Sequence, residues 1–398
     1  MKKNNLFKGL LLSAVVIISS CSSDSGDTDP LSCTLATTPT EYAFTDSDGN
    51  STVYYGGQAS RLGAAEDVYN TLNADAVYTQ AQLISDFAIS NIAGKFAENA
   101  GENRNQIVSD LHQLFADYEL ASADFAAGTV AAPGQAGLLP KNNGAGADIY
   151  ELTADGWEVD QQYAKMLIGA LCLEQNAYDY LTKIDLTNDN SERGYNGDQA
   201  WGPTYYTKAE HYFDEAYGYV YGLDHHVNGD GYNFAGDLND AIQNDLFLGK
   251  YLNKHTGEPG VASGNNWRAD AYNAYVLGRQ AIVDNCQDVL DAQINIINTT
   301  LSKVVAWHAA DYLSKASTDA LSSNDYSAYN HGLSEAWGFV YSLQFTKMSN
   351  GLPLFSHDEV NAIILEMNTT TAWGFKNTTG AARLQEMADQ INTRLANY

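Results

Sequence analysis

The sequence predicts an all-α fold: two similar helical bundles entered through a short β-hairpin. Three observations carry that expectation. From residue 61 onward, apolar residues recur at three- and four-residue intervals, the period of helices with one buried face. Before them, EYAFTDSDGNSTVYYGGQ sets aromatic and β-branched runs on both sides of Asp48-Gly49, a hairpin signal. One line is also written twice, because HYFDEAYGYVYGL at 211–223 and HGLSEAWGFVYSL at 331–343 share seven of thirteen positions at an offset of 120 residues.

The chain opens with Lys2, Lys3 and Lys8 ahead of an apolar run over 10–18 that ends in Ser-Ser-Cys. That run is too short to span a bilayer, so residues 1–20 read as a lipoprotein signal peptide with Cys21 as the lipidated residue. Acyl chains on Cys21 would hold the protein at the outer membrane, facing the periplasm or the surface. Residues 21–40 are polar and glycine-containing and form a flexible tether, followed by the hairpin over 41–60.

Helices are expected in the segments beginning at Arg61, Thr79 and Asn103, and then over 159–181, 206–223, 239–254, 267–284, 289–315, 326–345, 357–367 and 381–396. The glycine-rich stretch 126–147 reads as a long loop. A second matched pair, AYDYLTK at 177–183 and AADYLSK at 309–315, precedes each copy of the doubled line in the same order. Two blocks in one order point to duplication, and the halves divide as 61–255 and 256–398. The first copy carries twelve extra residues between its blocks, within the loop-like DLTNDNSERGYNGDQAWGPTYY.

With 49 acidic against 21 basic residues the formal charge is −28, and loss of Lys2, Lys3 and Lys8 with the signal would make it −31. Nucleic acid and anionic lipid need a positive face, so neither is an expected partner. Beyond Cys21, only Cys33, Cys172 and Cys286 remain, which permits one internal disulfide. Cys172 lies in the apolar IGALCLEQ. Cys33 and Cys286 form the favoured pair, although spacing alone does not establish it.

On a helix, His211 stands one turn from Glu215 and His331 one turn from Glu335. The functional reading makes His211, Glu215, His331 and Glu335 four ligands for iron or zinc, converging inside the bundle. The structural reading makes each Glu hold its own His and fix helix register. The spacing matches neither ExxH nor HExxH, and no P-loop, nucleophile elbow or dinucleotide fingerprint occurs. His308, beside Trp307, reads as a satisfied core histidine. The segment DHHVNGDGYNFAGD, with His225, His226, Asp230 and Asp237, reads as a polar loop.

YAFTDSDGNSTVYYGGQASRL, KMLIGAL, VLGRQAIV and the two His/Glu lines together resemble the DUF4856 family of Bacteroidota lipoproteins, relatives of the imelysin-like proteins. The resemblance implies a duplicated fold of two four-helix bundles and a cell-envelope role beside iron-uptake components such as an outer-membrane receptor. It also implies, as an alternative, an imelysin-type metal-dependent peptidase. The imelysin GxHxxE pattern is not reproduced, since Glu215 and Glu335 lie four residues after His and no Gly stands two before either His. The leading expectation is therefore a non-catalytic, lipid-anchored protein that binds a metal or a partner in its uptake. A structural or partner-binding lipoprotein is the third reading.

Overall fold

The computed structural model describes residues 33–398 apart from 75, 141–148, 196–202, 229–245 and 323–325. The signal peptide, Cys21, the first part of the tether, Asp230, Asp237 and the start of the helix expected over 239–254 lie outside the described residues.

Thirteen helices are described: α1 (Gly56–Thr71), α2 (Gln80–Phe87), α3 (Ile92–Lys95), α4 (Arg104–Ala126), α5 (Val159–Leu167), α6 (Leu186–Asp189), α7 (Lys208–Asn228), α8 (Leu248–Asn253), α9 (Trp267–Val283), α10 (Gln287–Asp319), α11 (Tyr326–Ser342), α12 (His357–Thr370) and α13 (Thr378–Leu395). The all-α expectation holds. Local chemistry explains several starts. Thr207 Oγ1 accepts from the Glu210 N–H while Glu210 Oε2 accepts from the Thr207 N–H, a capping box that opens α7. Ser356 and Glu359 do the same for α12.

The expected hairpin is reduced to one antiparallel bridge, Thr45 to Ser51, around the turn at Asp46–Asn50. Tyr55 already caps α1, so residues 56–60 are helical. The stretch read as a loop over 126–147 contains strand β1 (Gly137–Pro140), which pairs antiparallel with β2 (Ile149–Leu152). Only glycine fits at 137, because a Cβ there would strike the Thr129 carbonyl. The helix expected over 159–181 is α-helical only to Leu167. It then widens into π-helical turns over Ile168–Leu173 and Gln175–Asp179, where buried polar side chains bond outside the helix. Glu174 accepts from the Asn99 N–H at 2.5 Å, and Asn176 donates to the Ala216 carbonyl at 2.9 Å.

The apolar core runs continuously from α1 to α13, with α1 against α7, α5 against α11, and α10 against α9, α11 and α13. Cys33 and Cys286 are joined as a disulfide with Cα atoms 5.6 Å apart, and Cys172 is buried and takes part in no disulfide. Beyond Cys33 the chain is strapped onto the helices. Ala36 N–H donates to Asp284 at 2.8 Å, and the Tyr42 hydroxyl donates to buried Asp214 at 2.7 Å. Arg279, fully buried, donates to the same Asp214 at 2.9 Å and to the Thr52 hydroxyl at 3.0 Å. No described helix is long and apolar enough to cross a membrane.

Candidate functional site

The doubled line occupies α7 and α11, and in both the His Nε2 stands 3.6 Å from the Glu four residues on. Glycine seven residues after each His lets a neighbouring helix in close. A Cβ at Gly218 would meet Tyr55 and Gln58 of the α1 start at 2.6 and 2.9 Å. One at Gly338 would meet Lys165 Cβ at 2.5 Å and the Gln162 carbonyl at 2.9 Å on α5. The other matched block supplies a tyrosine to each Glu: the Tyr180 hydroxyl acts on Glu215, and Tyr312 on Glu335. Each His also lies flat on a tyrosine, His211 on Tyr206 at 4.6 Å and His331 on Tyr150 at 4.7 Å.

Electrostatically the two pairs are opposites. Glu215 receives the neutral Gln58 amide at 2.8 Å, and burial pushes its carboxyl above the usual range. Burial likewise pushes His211 down, outweighing the nearby Asp214 carboxylate and a Tyr54 backbone bond, which favour the charged form. This pair thus favours the neutral state. Around Glu335 burial again opposes charge, but the Lys165 ammonium at 3.1 Å and His331 outweigh it and hold the carboxylate at about 2. The Tyr251 hydroxyl donates a further bond at 2.8 Å. Burial also opposes charge on His331. The Glu158 carboxylate at 2.7 Å from Nδ1, with Glu335, outweighs burial and raises the histidine above its usual range.

This charged network forms one wall of a cavity of about 320 Å³, within the roughly 300–1,000 Å³ of small-ligand pockets. Glu158 and Asp160 enter from the start of α5, Lys165 from two turns on, His331 and Glu335 from α11. Lys250 and Tyr251 come from α8, Lys254 from its C-cap, and Tyr150 from β2. Lys165 also bonds Gln161, whose amide donates to Asp160 at 2.9 Å and to the Tyr69 hydroxyl at 3.0 Å. Burial first, and then Glu158, push the Asp160 carboxyl up to about 7. Burial lowers the Lys254 ammonium to about 8 as it lies 4.3 Å over the Tyr251 ring. Lys254 makes no ion pair among the described residues.

The structure brings His211 to Glu215 and His331 to Glu335. Among the described residues no hydrogen bond, ion pair or ring contact joins one pair to the other. Nor does any group of three or more His, Cys, Asp or Glu side chains there stand so as to hold a metal ion. The donor atoms near His331 are already engaged: Lys165, Tyr251 and His331 face Glu335, and Glu158 takes Nδ1, so a metal fits this set poorly. His308 is buried as expected, with its Nε2 3.3 Å from His255 Nε2 and its ring bonded to the Tyr251 backbone. Sequence reasoning missed Glu158, Asp160, Lys165, Tyr150 and Lys254. One signal was available: Lys165 interrupts the apolar face of YAKMLIGAL, where an unpaired charge would not be tolerated.

Neither the curated proteins nor the solved structures contain a match to this chain. The family described as Domain of unknown function (DUF4856) matches residues 98–396, which include both His/Glu lines and most of the cavity wall, and the chain belongs to that family.

Proposed function

We propose that the protein is a non-catalytic binding protein that takes a small organic anion, carrying a carboxylate or phosphate, into the cavity beside His331 and Glu335. The observation that carries this reading is the convergence of Lys165, Lys250 and Lys254 on one cavity in a chain with 21 basic and 49 acidic residues. Lys165 is consumed by Glu335. Lys254 is desolvated, and the carboxylate that favours its charge, Glu335, is already held by Lys165, so an incoming anion would supply a partner.

Calorimetry with glucuronate and inorganic phosphate tests this. One of them is expected to bind, at least tenfold more weakly to Lys254→Met. Because Lys254 titrates at about 8, an anion beside it raises its pKa, so binding at pH 8 should take up protons, read from buffers of different ionisation enthalpy. Binding indifferent to Lys254→Met, or no binding of either anion, would sink the reading.

The cellular setting belongs to the same proposal: a lipoprotein of Bacteroidota held at the outer membrane by Cys21, related to imelysin-like proteins and placed beside an uptake receptor. The signal-like N-terminus and lipobox support it, and labelling with a palmitate analogue, lost in Cys21→Ala, tests it. Descent of the helices from two duplicated four-helix bundles is supported by the two matched blocks, whose Tyr and Glu meet in both copies. Iron or zinc bound through His211, Glu215, His331 and Glu335, with or without peptidase action, is the competing reading, favoured by the repeated donor pair. Stoichiometric metal in tag-free protein, lost in His211→Ala/His331→Ala, is what it requires.

A further inference from the structure

The cavity beside His331 and Glu335 is lined by carboxylates as well as lysines, and one carboxylate finds no cation of its own. Glu335 faces Lys165 at 3.1 Å and Glu158 faces His331 at 2.7 Å, which closes two ion pairs within the wall. Asp160 belongs to neither. It is 3% exposed, lines the same cavity, and makes no ion pair among the described residues. Its hydrogen bonds come from neutral groups. The Gln161 N–H donates to Oδ1 at 2.7 Å, the Gln161 amide to Oδ2 at 2.9 Å, and the Tyr69 hydroxyl adds a third. A carboxylate accepts about four, so room for a further donor remains.

Two groups of opposite sign are thus left over. Burial opposes the charge on Lys254, and Glu335, which favours it, is held by Lys165. Burial and then Glu158 oppose the charge on Asp160, while Lys165 and His331, which favour it, each face a carboxylate of their own. Asp160 and Lys254 line one chamber without pairing with each other. A plain carboxylate or phosphate would satisfy Lys254 and leave Asp160 as it was. A metal ion at Asp160 would find no group of three His, Cys, Asp or Glu side chains among the described residues. An ammonium needs only hydrogen-bond acceptors, which Asp160 and the Tyr69 oxygen supply on the cavity wall.

We infer that the anionic group taken at Lys254 is one end of an amino acid, whose ammonium is received by Asp160. This rests on the anion reading of the cavity and adds the second charge. Calorimetry on the full folded protein at pH 7 compares glycine, 4-aminobutyrate and 6-aminohexanoate with acetate, butyrate and hexanoate, the same chains without the amine. At least one amino acid is expected to bind about tenfold more tightly than its plain partner, which corresponds to about 1.4 kcal/mol. Asp160→Asn keeps the side chain's shape and removes a carboxyl whose charge burial opposes, so it should fold at least as stably at this pH and should erase that ratio. Lys254→Met should weaken both members of the pair and leave the ratio in place.

Proton counts give a readout that a merely structural Asp160 would not move. Its carboxyl titrates at about 7, and an ammonium beside it lowers that value, so the amino acid should release protons at pH 7. The plain carboxylate should instead take up a smaller fraction through Lys254, at about 8. Carboxylates that bind with no gain from the amine, or a gain that survives Asp160→Asn, overturn the ammonium assignment and leave the anion reading standing. Butylamine bound as tightly as 4-aminobutyrate overturns the bridging of the two charges by one molecule. Binding by none of the six while glucuronate or inorganic phosphate binds overturns the amino-acid assignment alone. Silence from those two anions as well overturns it together with the anion reading beneath it.

Discussion

Lys165 shows how much rests on one buried side chain. It is 3% exposed and faces the Glu335 carboxylate, which is held at about 2 by Lys165 and His331. Removing one member of a buried pair strands the other, so Lys165→Met should cost about 3–5 kcal/mol in urea unfolding at pH 7. Depression of the Glu335 pKa means that its contribution is complete above the unfolded value near 4.5 and fades as pH falls towards 2. Asp160 runs the other way. Its folded pKa, about 7, lies above the unfolded value of 3.8, so it lowers stability progressively as pH rises from about 4 to 7. Asp160→Asn should therefore match the parent at pH 4 and exceed it at pH 8 by on the order of 3 kcal/mol; equal urea midpoints at pH 8 would contradict this. The His331–Glu335 pairing was legible because helix geometry fixes neighbours four apart. Glu158 was not, since it reaches His331 across 173 residues of sequence, and no local pattern encodes that meeting.

At the level of elements, the approach of α11 to α5 depends on Gly338, where a Cβ would come within 2.5 Å of Lys165 Cβ. Gly332 on the same helix has nothing within 4 Å of an added Cβ. Gly338→Ala should lose about 1–3 kcal/mol through overpacking, whereas Gly332→Ala should gain about 0.5–1 kcal/mol from helix propensity. Thermal melts of the two variants check the contrast, and a shift of the same sign in both would refute it. Long helices such as α7, α9 and α10 were legible because their apolar residues recur at three- and four-residue intervals, even where, as in α10, several faces are packed. The π-helical turns after Leu167 were not, since Gln175 and Asn176 look like helix-surface residues until the groups they bond, on Lys95 and Ala216, are in place. Strand β1 was hidden because its four residues carry little pattern and its ladder partner lies across 141–148.

Over the whole molecule, the Cys33–Cys286 disulfide closes a separation of 253 residues. Loops of this size gain most from a cross-link in the chain-entropy account, so Cys33→Ala/Cys286→Ala should lower stability by about 2–5 kcal/mol. Reductant should shift the parent's melting temperature and leave the double variant's unchanged. Cysteine counting allowed this pair and could not establish it, because the strap that carries Cys33 to the helices is held by Asp284, Tyr272 and Asp214, contacts with no sequence signature.

That strap also decides how the fold would carry tension. Cys286 is the N-cap of α10, a helix of 33 residues and about 50 Å at 1.5 Å per residue. A pull on the chain ahead of Cys33 is handed across the covalent bond into the first turn of α10. The hydrogen bonds of Ala36, Tyr42 and Tyr54 lie beyond that bond and carry no load. With the bond reduced, the same pull would peel them in order, beginning with the Cys33 N–H on Asp288 and the Ala36 N–H on Asp284, and would reach the Tyr42 and Tyr54 bonds to buried Asp214 only after those outer contacts had parted.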